Sequence, residues 1–253
     1  MNSKAKKMMI AGLAAGLLMS FTSCNKLNNT ESQVSYTKIL DVYEDGTSPI
    51  IEEELPTVLS DAPVLETSDE DILMHMKDEE KLARDVYQAL YSTWNATIFN
   101  NIQKAEQKHM DAILFLINNY STLNGEVGAP GEFDNPEIVT LYQQLVEQGT
   151  QSLNDALTEG ALIEELDIKD LATYLDQTSN ENLILVLENL MKGSRNHLRA
   201  FNRQLTQLGV TYEPRYIDEA AFDEISNSPF ETGNRYAKQN GKQYKFGDGS
   251  CTY

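Results

Sequence analysis

The sequence predicts an all-α fold, a four-helix bundle with a long connection between its second and third helices. Three observations carry this. Apolar residues recur at alternating spacings of three and four along four long stretches, cap and turn residues separate those stretches, and almost no alternating strand pattern competes. The bundle is expected to occupy residues 68–226 of the 253.

Residues 1–23 carry the marks of a secretory signal. Lys4, Lys6 and Lys7 precede the apolar stretch MMIAGLAAGLLMSF, and the small residues Thr22 and Ser23 stand directly before Cys24. The apolar run is shorter than the ~20 residues a membrane-spanning helix needs. Cys24 after FTS resembles a bacterial lipobox, with Phe21 in place of the usual leucine. That resemblance implies cleavage before Cys24, lipidation of its thiol, and a protein anchored by lipid in the cell envelope, periplasmic or facing the outer membrane. Ordinary cleavage near Ser23 is the alternative.

Loss of residues 1–23 removes three lysines and no acid, so the net charge moves from 20 − 39 = −19 to 17 − 39 = −22. Such an excess of acid excludes nucleic acid as a partner, since phosphate neutralisation needs a basic face. Two cysteines exclude a disulfide scaffold and multi-cysteine metal clusters. Once Cys24 is acylated, Cys251 has no partner within the chain.

Residues 24–67 are polar and acidic, with Glu52, Glu53 and Glu54 in a run and prolines at 49, 56 and 63. They are expected to form a flexible tether, with a short strand around Gln33–Tyr43. Ser68 followed by Asp69, Glu70 and Asp71 signals an N-cap, and the first helix should run to about Thr93. A second helix is expected over Ala96–Ser121. Thr122–Asn135, with four Gly or Pro residues, is the long connection. Pro136 suits the first position of a short helix reaching about Gln148. Further long helices are expected over Gln151–Gln177 and Asn180–Leu208, and a last short one over Ile217–Ser226. Residues 227–253 are expected to be a loosely ordered tail.

The seam positions then interrupt themselves. The first helix presents Leu73, Met76, Glu80, Ala83, Tyr87 and Leu90; the second Phe99, Ile102, Glu106, His109, Ile113, Leu116 and Tyr120. The third presents Leu153, Leu157, Gly160, Glu164, then Asp167 or Ile168, and Leu171; the fourth Leu187, Leu190, Ser194, His197, Phe201 and Leu208. A lone Glu-x-x-His or a single seam histidine is common without any ligand. Four helices breaking their apolar stripes at one level is a stronger pattern, because an uncompensated buried charge costs several kcal/mol. Divalent cations would compensate it. Glu106 and His109, one turn apart, can reach the same ion, and oxygen and nitrogen ligands suit iron(II), manganese(II) or zinc(II).

These residues resemble those of the ferritin-like superfamily. Glu80-x-x-Ala83-Arg84-x-x-Tyr87 is similar to the first-helix motif of rubrerythrins, in which the glutamate binds metal, and Glu106-x-x-His109 resembles the second-helix motif. GALIEELDIKDL at 160–171 and GSRNHLRAF at 193–201 resemble an uncharacterised ferritin-like family of bacteria and archaea, a domain of unknown function. The similarity covers residues 70–226, including Tyr212-Glu213-Pro214. It implies a ferritin-like bundle holding two iron or manganese ions through Glu80, Glu106, His109, Glu164 and His197. Glu164 is preferred to Glu165 because it lies on the seam. A standard di-iron site would also place glutamate at 194, where this chain has Ser194; Asp167 or Glu165 could substitute, or the site holds one metal tightly and the second weakly, or only one ion is held.

What this implies about function is a metal-binding envelope lipoprotein, redox-active towards oxygen, peroxide or ferrous iron; as an enzyme it would be a di-iron oxidoreductase of the ferroxidase or peroxidase type. No Cys-x-x-Cys is present, so the electron donor would be another protein. Self-association is compatible with the fold, although a closed storage cage would have to let a tether leave every subunit. A metal-holding or metal-sensing lipoprotein without catalysis is the second reading. The third is a metal-free bundle serving as an envelope interaction module.

Overall fold

A computed structural model describes residues 39–59 and 65–232. The expected signal, the lipidation site at Cys24, Cys251 and most of the expected tail lie outside the described residues.

All regular structure among the described residues is helical apart from one isolated antiparallel bridge, Leu40 with Ile50. The helices are α1 (Leu55–Val58), α2 (Thr67–Trp94), α3 (Thr97–Tyr120), α4 (Pro136–Gly149), α5 (Leu153–Gln177), α6 (Glu181–Gln207) and α7 (Glu219–Asn227). The long helices start and stop within two residues of their expected ends, because their caps are local. Asn135, Ser152, Asn180 and Asp218 each accept a backbone N–H of the first turn. One cap differs from expectation. Helix α2 is capped by Glu66 rather than Ser68, in a reciprocal box with Asp69.

Helices α2 and α3 form one antiparallel pair and α5 and α6 the other; α4 packs on α2 and α5, and α7 on α6. The seam residues are buried, from Leu73, Met76 and Leu90 on α2 to Leu187, Leu190 and Phe201 on α6. Leu208 is an exception: it caps α6 at 50% exposure, and Leu205 fills the core position instead. The long connection of residues 121–135 is tied down by a buried group on α2. Lys81 donates to Ala129 O and pairs with Asp85, which also accepts the N–H of Gly131.

The stretch expected to be a flexible tether is partly something else. Residues 39–51 form a tight hairpin, with Asp41 N–H donating to Pro49 O, Tyr43 N–H to Thr47 O and Ile51 N–H to Ile39 O. Ile39, Leu40, Ile50 and Leu55 are all buried in the core, at 3% exposure or less. Their apolar side chains are too few and too close together to show a helical or strand period, which is why composition dominated the expectation. At the other end, Glu231 is gripped by Arg195 and Arg199 of α6 through two and one guanidinium contacts respectively. Order therefore extends past residue 226.

Candidate metal centre

Each of the four long helices contributes to one buried polar cluster. Glu80 comes from α2, Glu106 and His109 from α3, Glu164 from α5 and His197 from α6, and all five are 2% exposed or less. Helical spacing explains their presence on one level: each replaces an apolar residue on its seam, and packing the seams brings the replacements together.

Glu106 is the centre. One carboxylate oxygen lies 2.8 Å from Nδ1 of His109 and the other 2.9 Å from Nδ1 of His197. Glu80 approaches the His109 nitrogen to 3.4 Å and Glu164 the His197 nitrogen to 3.5 Å. The two rings stack with centroids 5.5 Å apart. Two overlapping ligand triads result, Glu80–Glu106–His109 and Glu106–Glu164–His197, each with its donor atoms within 4.8 Å of one another.

The close approaches of Glu106 to the two imidazoles are ion-pair contacts, and four atoms of this cluster make no hydrogen bond among the described residues: Glu80 Oε1, Glu106 Oε1, His109 Nδ1 and His197 Nδ1. Buried polar atoms are almost always satisfied, since leaving one unpaired costs ~1–3 kcal/mol. Unpaired oxygen and nitrogen atoms converging from α2, α3 and α6 are what a divalent cation would satisfy, so the donor set fits such an ion.

Burial dominates the acid–base behaviour of all five groups. It raises Glu80 to about 7 against the pull of His109, and raises Glu164 to about 7 with help from the charge of Glu106. Burial also pushes Glu106 upward, but the two imidazoles outweigh it and hold this carboxyl below the usual carboxylate range. At His109 and His197 burial opposes charging, yet the carboxylates win, leaving His109 well above its ordinary value and His197 at about 9. At His197 one contact works the other way: Ser48 N–H donates to Nε2 at 3.1 Å, and a protonated Nε2 would face a donor. That hydrogen bond requires a lone pair on the ring.

The surroundings orient these side chains. The Tyr87 hydroxyl lies 2.6 Å from Glu164 Oε1 and 3.1 Å from Gly160 O, which fixes the Glu164 carboxylate. Ser48 O accepts from Nε2 of His109 at 2.8 Å. Asn196 Nδ2 donates to the Ser48 hydroxyl and to Glu231 O, locking the hairpin to α6. Ser48, Asn196 and Glu231 were not singled out from the sequence. Ser48 and Glu231 lie outside any periodic stretch, and Asn196 is one of several polar residues in GSRNHLRAF; no local signal marks them.

The two alternates behave differently from the five. Glu165 points away, accepting from the Tyr212 hydroxyl at 2.7 Å and from the Arg215 N–H. Asp167 hydrogen-bonds Ser194 Oγ and belongs to neither triad, although one of its oxygens is also buried without a partner. Ser194 itself donates no carboxylate to the cluster; its hydroxyl serves Asp167 and Leu190 O.

A cavity of about 210 Å³ lies between α2, α4 and α5. Glu80, Glu106, Glu164 and Asp167 line it together with a half-buried group, His75, Glu79 and Asp170. His75, the third histidine, is thereby outside the buried cluster and pairs with Glu79 at 3.2 Å.

A family model described as an uncharacterized protein domain, DUF2202, matches residues 69–229. An uncharacterized protein of Methanocaldococcus jannaschii, MJ0754, is 48% identical over 165 residues, covering 64% of this chain and 88% of that protein. The crystal structure of the hypothetical protein MJ0754 superimposes with a TM-score of 0.63 at 46% identity, covering 68% of this chain and 99% of that one.

Proposed function

The chain belongs to the family of the uncharacterized domain DUF2202, and from that premise we propose that it is a ferritin-like metal-binding protein whose ligands are Glu80, Glu106, His109, Glu164 and His197. The observation that carries the proposal is the convergence of four buried, unpaired oxygen and nitrogen atoms from Glu80, Glu106, His109 and His197.

Iron or manganese suits this mixture of carboxylate and imidazole, and when bound would supply redox chemistry towards oxygen, peroxide or ferrous iron. The chain's own residues do the rest. Glu106 stands between both triads and would bridge two ions or hold one. Tyr87 steadies Glu164 through its hydroxyl. Fully buried leucine and isoleucine side chains of the same helices, such as Leu157, Leu187 and Ile113, keep bulk water from the core around them. The cavity leading past His75, Glu79 and Asp170 supplies a polar approach for a cation or a small oxidant. We propose further that the protein works at the cell envelope, held there by lipid on Cys24, and that electrons come from a separate donor protein.

Metal analysis of the protein, produced with iron, manganese or zinc supplementation, tests this. About one equivalent or more per chain is expected, falling in Glu106→Gln and His109→Gln variants that still fold as judged by circular dichroism. Less than about a tenth of an equivalent in the parent under all three supplements would overturn the proposal and favour the metal-free interaction module. Iron that binds but does not cycle with oxygen or peroxide would restrict the protein to holding metal.

A further inference from the structure

The two histidines of the cluster meet opposite backbone groups of a single residue, Ser48. A carbonyl oxygen can only accept a hydrogen bond and a backbone N–H can only donate one. Nε2 of His109 sits 2.8 Å from Ser48 O, so that nitrogen carries a proton. The neutral ring then presents a lone pair on Nδ1, the atom facing Glu80 and Glu106. Nε2 of His197 receives the Ser48 N–H at 3.1 Å, so there the lone pair is turned to Ser48. The neutral ring's proton is then on Nδ1, the atom facing Glu106 and Glu164.

A metal ligand must offer a lone pair, and the hydrogen bond made by the other ring nitrogen sets where that lone pair is. His109 is set as a ligand and His197 as a donor. For His197 to ligate through Nδ1, its proton would have to move to Nε2, and two donors would face each other across 3.1 Å.

We propose that Ser48 makes the two metal positions inequivalent: Glu80–Glu106–His109 holds the resident ion, and Glu106–Glu164–His197 takes a second ion only when the Ser48 N–H is turned away. The inference rests on the metal-binding reading above and deepens it. An independent feature points the same way. Ser194 stands three residues before His197 as Glu106 stands before His109, and its hydroxyl is engaged by Asp167 and Leu190 O, so α6 brings a histidine but no carboxylate of its own to the second position. The Ser48 peptide is also held in place. The Ser48 hydroxyl donates to Gly46 O and accepts from Asn196. Gly46 adopts φ +97°, and a β-carbon there would lie 2.9 Å from that of Ala200. The hairpin therefore sits against α6 where a larger residue would not fit. Ser48 is a positioning residue, acting through two imidazoles.

Titration of the metal-free full-length protein with cobalt(II), followed by its visible absorption and by calorimetry, tests the inequivalence. One tight equivalent is expected, with a second weaker by about tenfold to a hundredfold. Ser48→Pro removes the N–H but keeps the carbonyl, and should tighten the second equivalent by about tenfold while leaving the first in place. Nitrogen-15 spectra of the metal-free protein give a readout that needs no variant of Ser48: the Nδ1–H form is expected for His197 and an Nε2–H for His109, with His75→Gln identifying the third ring. Two equally tight equivalents in the parent, or an Nε2–H form at His197, would overturn the inference while leaving metal binding intact. Failure of the parent to bind cobalt at all would overturn the metal-binding reading itself, and this inference with it.

Discussion

Gly193 of α6 lies so close under the ring of His109 that a β-carbon on it would stand 2.6 Å from Cε1 and 2.8 Å from Nε2. Those are atoms of the ring that reaches Ser48 O. Glycine here is a matter of space between α3 and α6. Gly193→Ala should push the imidazole out of register, cost ~1–3 kcal/mol through overpacking, and lower metal affinity by about tenfold. Urea unfolding and metal titration of the same preparation measure the two effects, and unchanged values for both would contradict the close approach.

Tyr87 and Glu164 form the shortest contact between a supporting residue and a ligand, at 2.6 Å. Tyr87→Phe keeps the ring that packs on Phe99 and Phe201 and deletes only the hydroxyl. The expected loss of stability is ~1–2 kcal/mol in the metal-free protein, because a buried carboxylate loses its donor. A divalent ion on Glu164 takes over part of that role, so the loss should shrink when metal is present. Thermal unfolding with and without metal checks the difference.

Glu164 and Glu165 are neighbours in sequence with separate work in the fold. Glu165→Gln weakens the link to Tyr212 and the Arg215 N–H and should lower stability by ~1 kcal/mol with metal stoichiometry unchanged. Glu164→Gln should instead reduce binding of a second ion. A loss of metal in Glu165→Gln with normal content in Glu164→Gln would reverse the assignment of the seam.

The pH dependence follows from the direction of the shifts. Glu80 and Glu164 are raised to about 7, so the folded metal-free protein holds protons that the unfolded chain has released. These two acids therefore contribute stability that is lost as pH rises from about 4.5 to 7. Glu106 has the opposite sign, but its window lies below the usual carboxylate range. Metal-free protein should lose thermal stability between about pH 4.5 and 7. Protons compete with the ion for the same atoms, so metal affinity should rise over that interval and metal-loaded protein should resist the decline. Differential scanning calorimetry at several pH values, with and without cobalt, separates the two curves.

Local chemistry and one periodicity determined much of this protein. Asn135, Ser152, Asn180 and Asp218 cap helices where short polar side chains can reach the first-turn N–H groups. Because a helix repeats every 3.6 residues, positions 80, 106, 109, 164 and 197 share faces with apolar neighbours, and packing those faces could bring them nowhere else. The preference for Glu164 over Glu165 followed from the same 100° rotation. Tertiary structure alone decided the rest. The partners of Ser48 lie 61 and 149 residues away, and the carboxylate of Glu231 returns to α6 from beyond the last helix. A hydrogen bond between distant segments leaves no period in the sequence, because it depends on where two backbones end up and not on which residues recur. Thus the sequence could name the five side chains of the cluster, while only the folded hairpin over α6 decided which way the two imidazoles carry their protons.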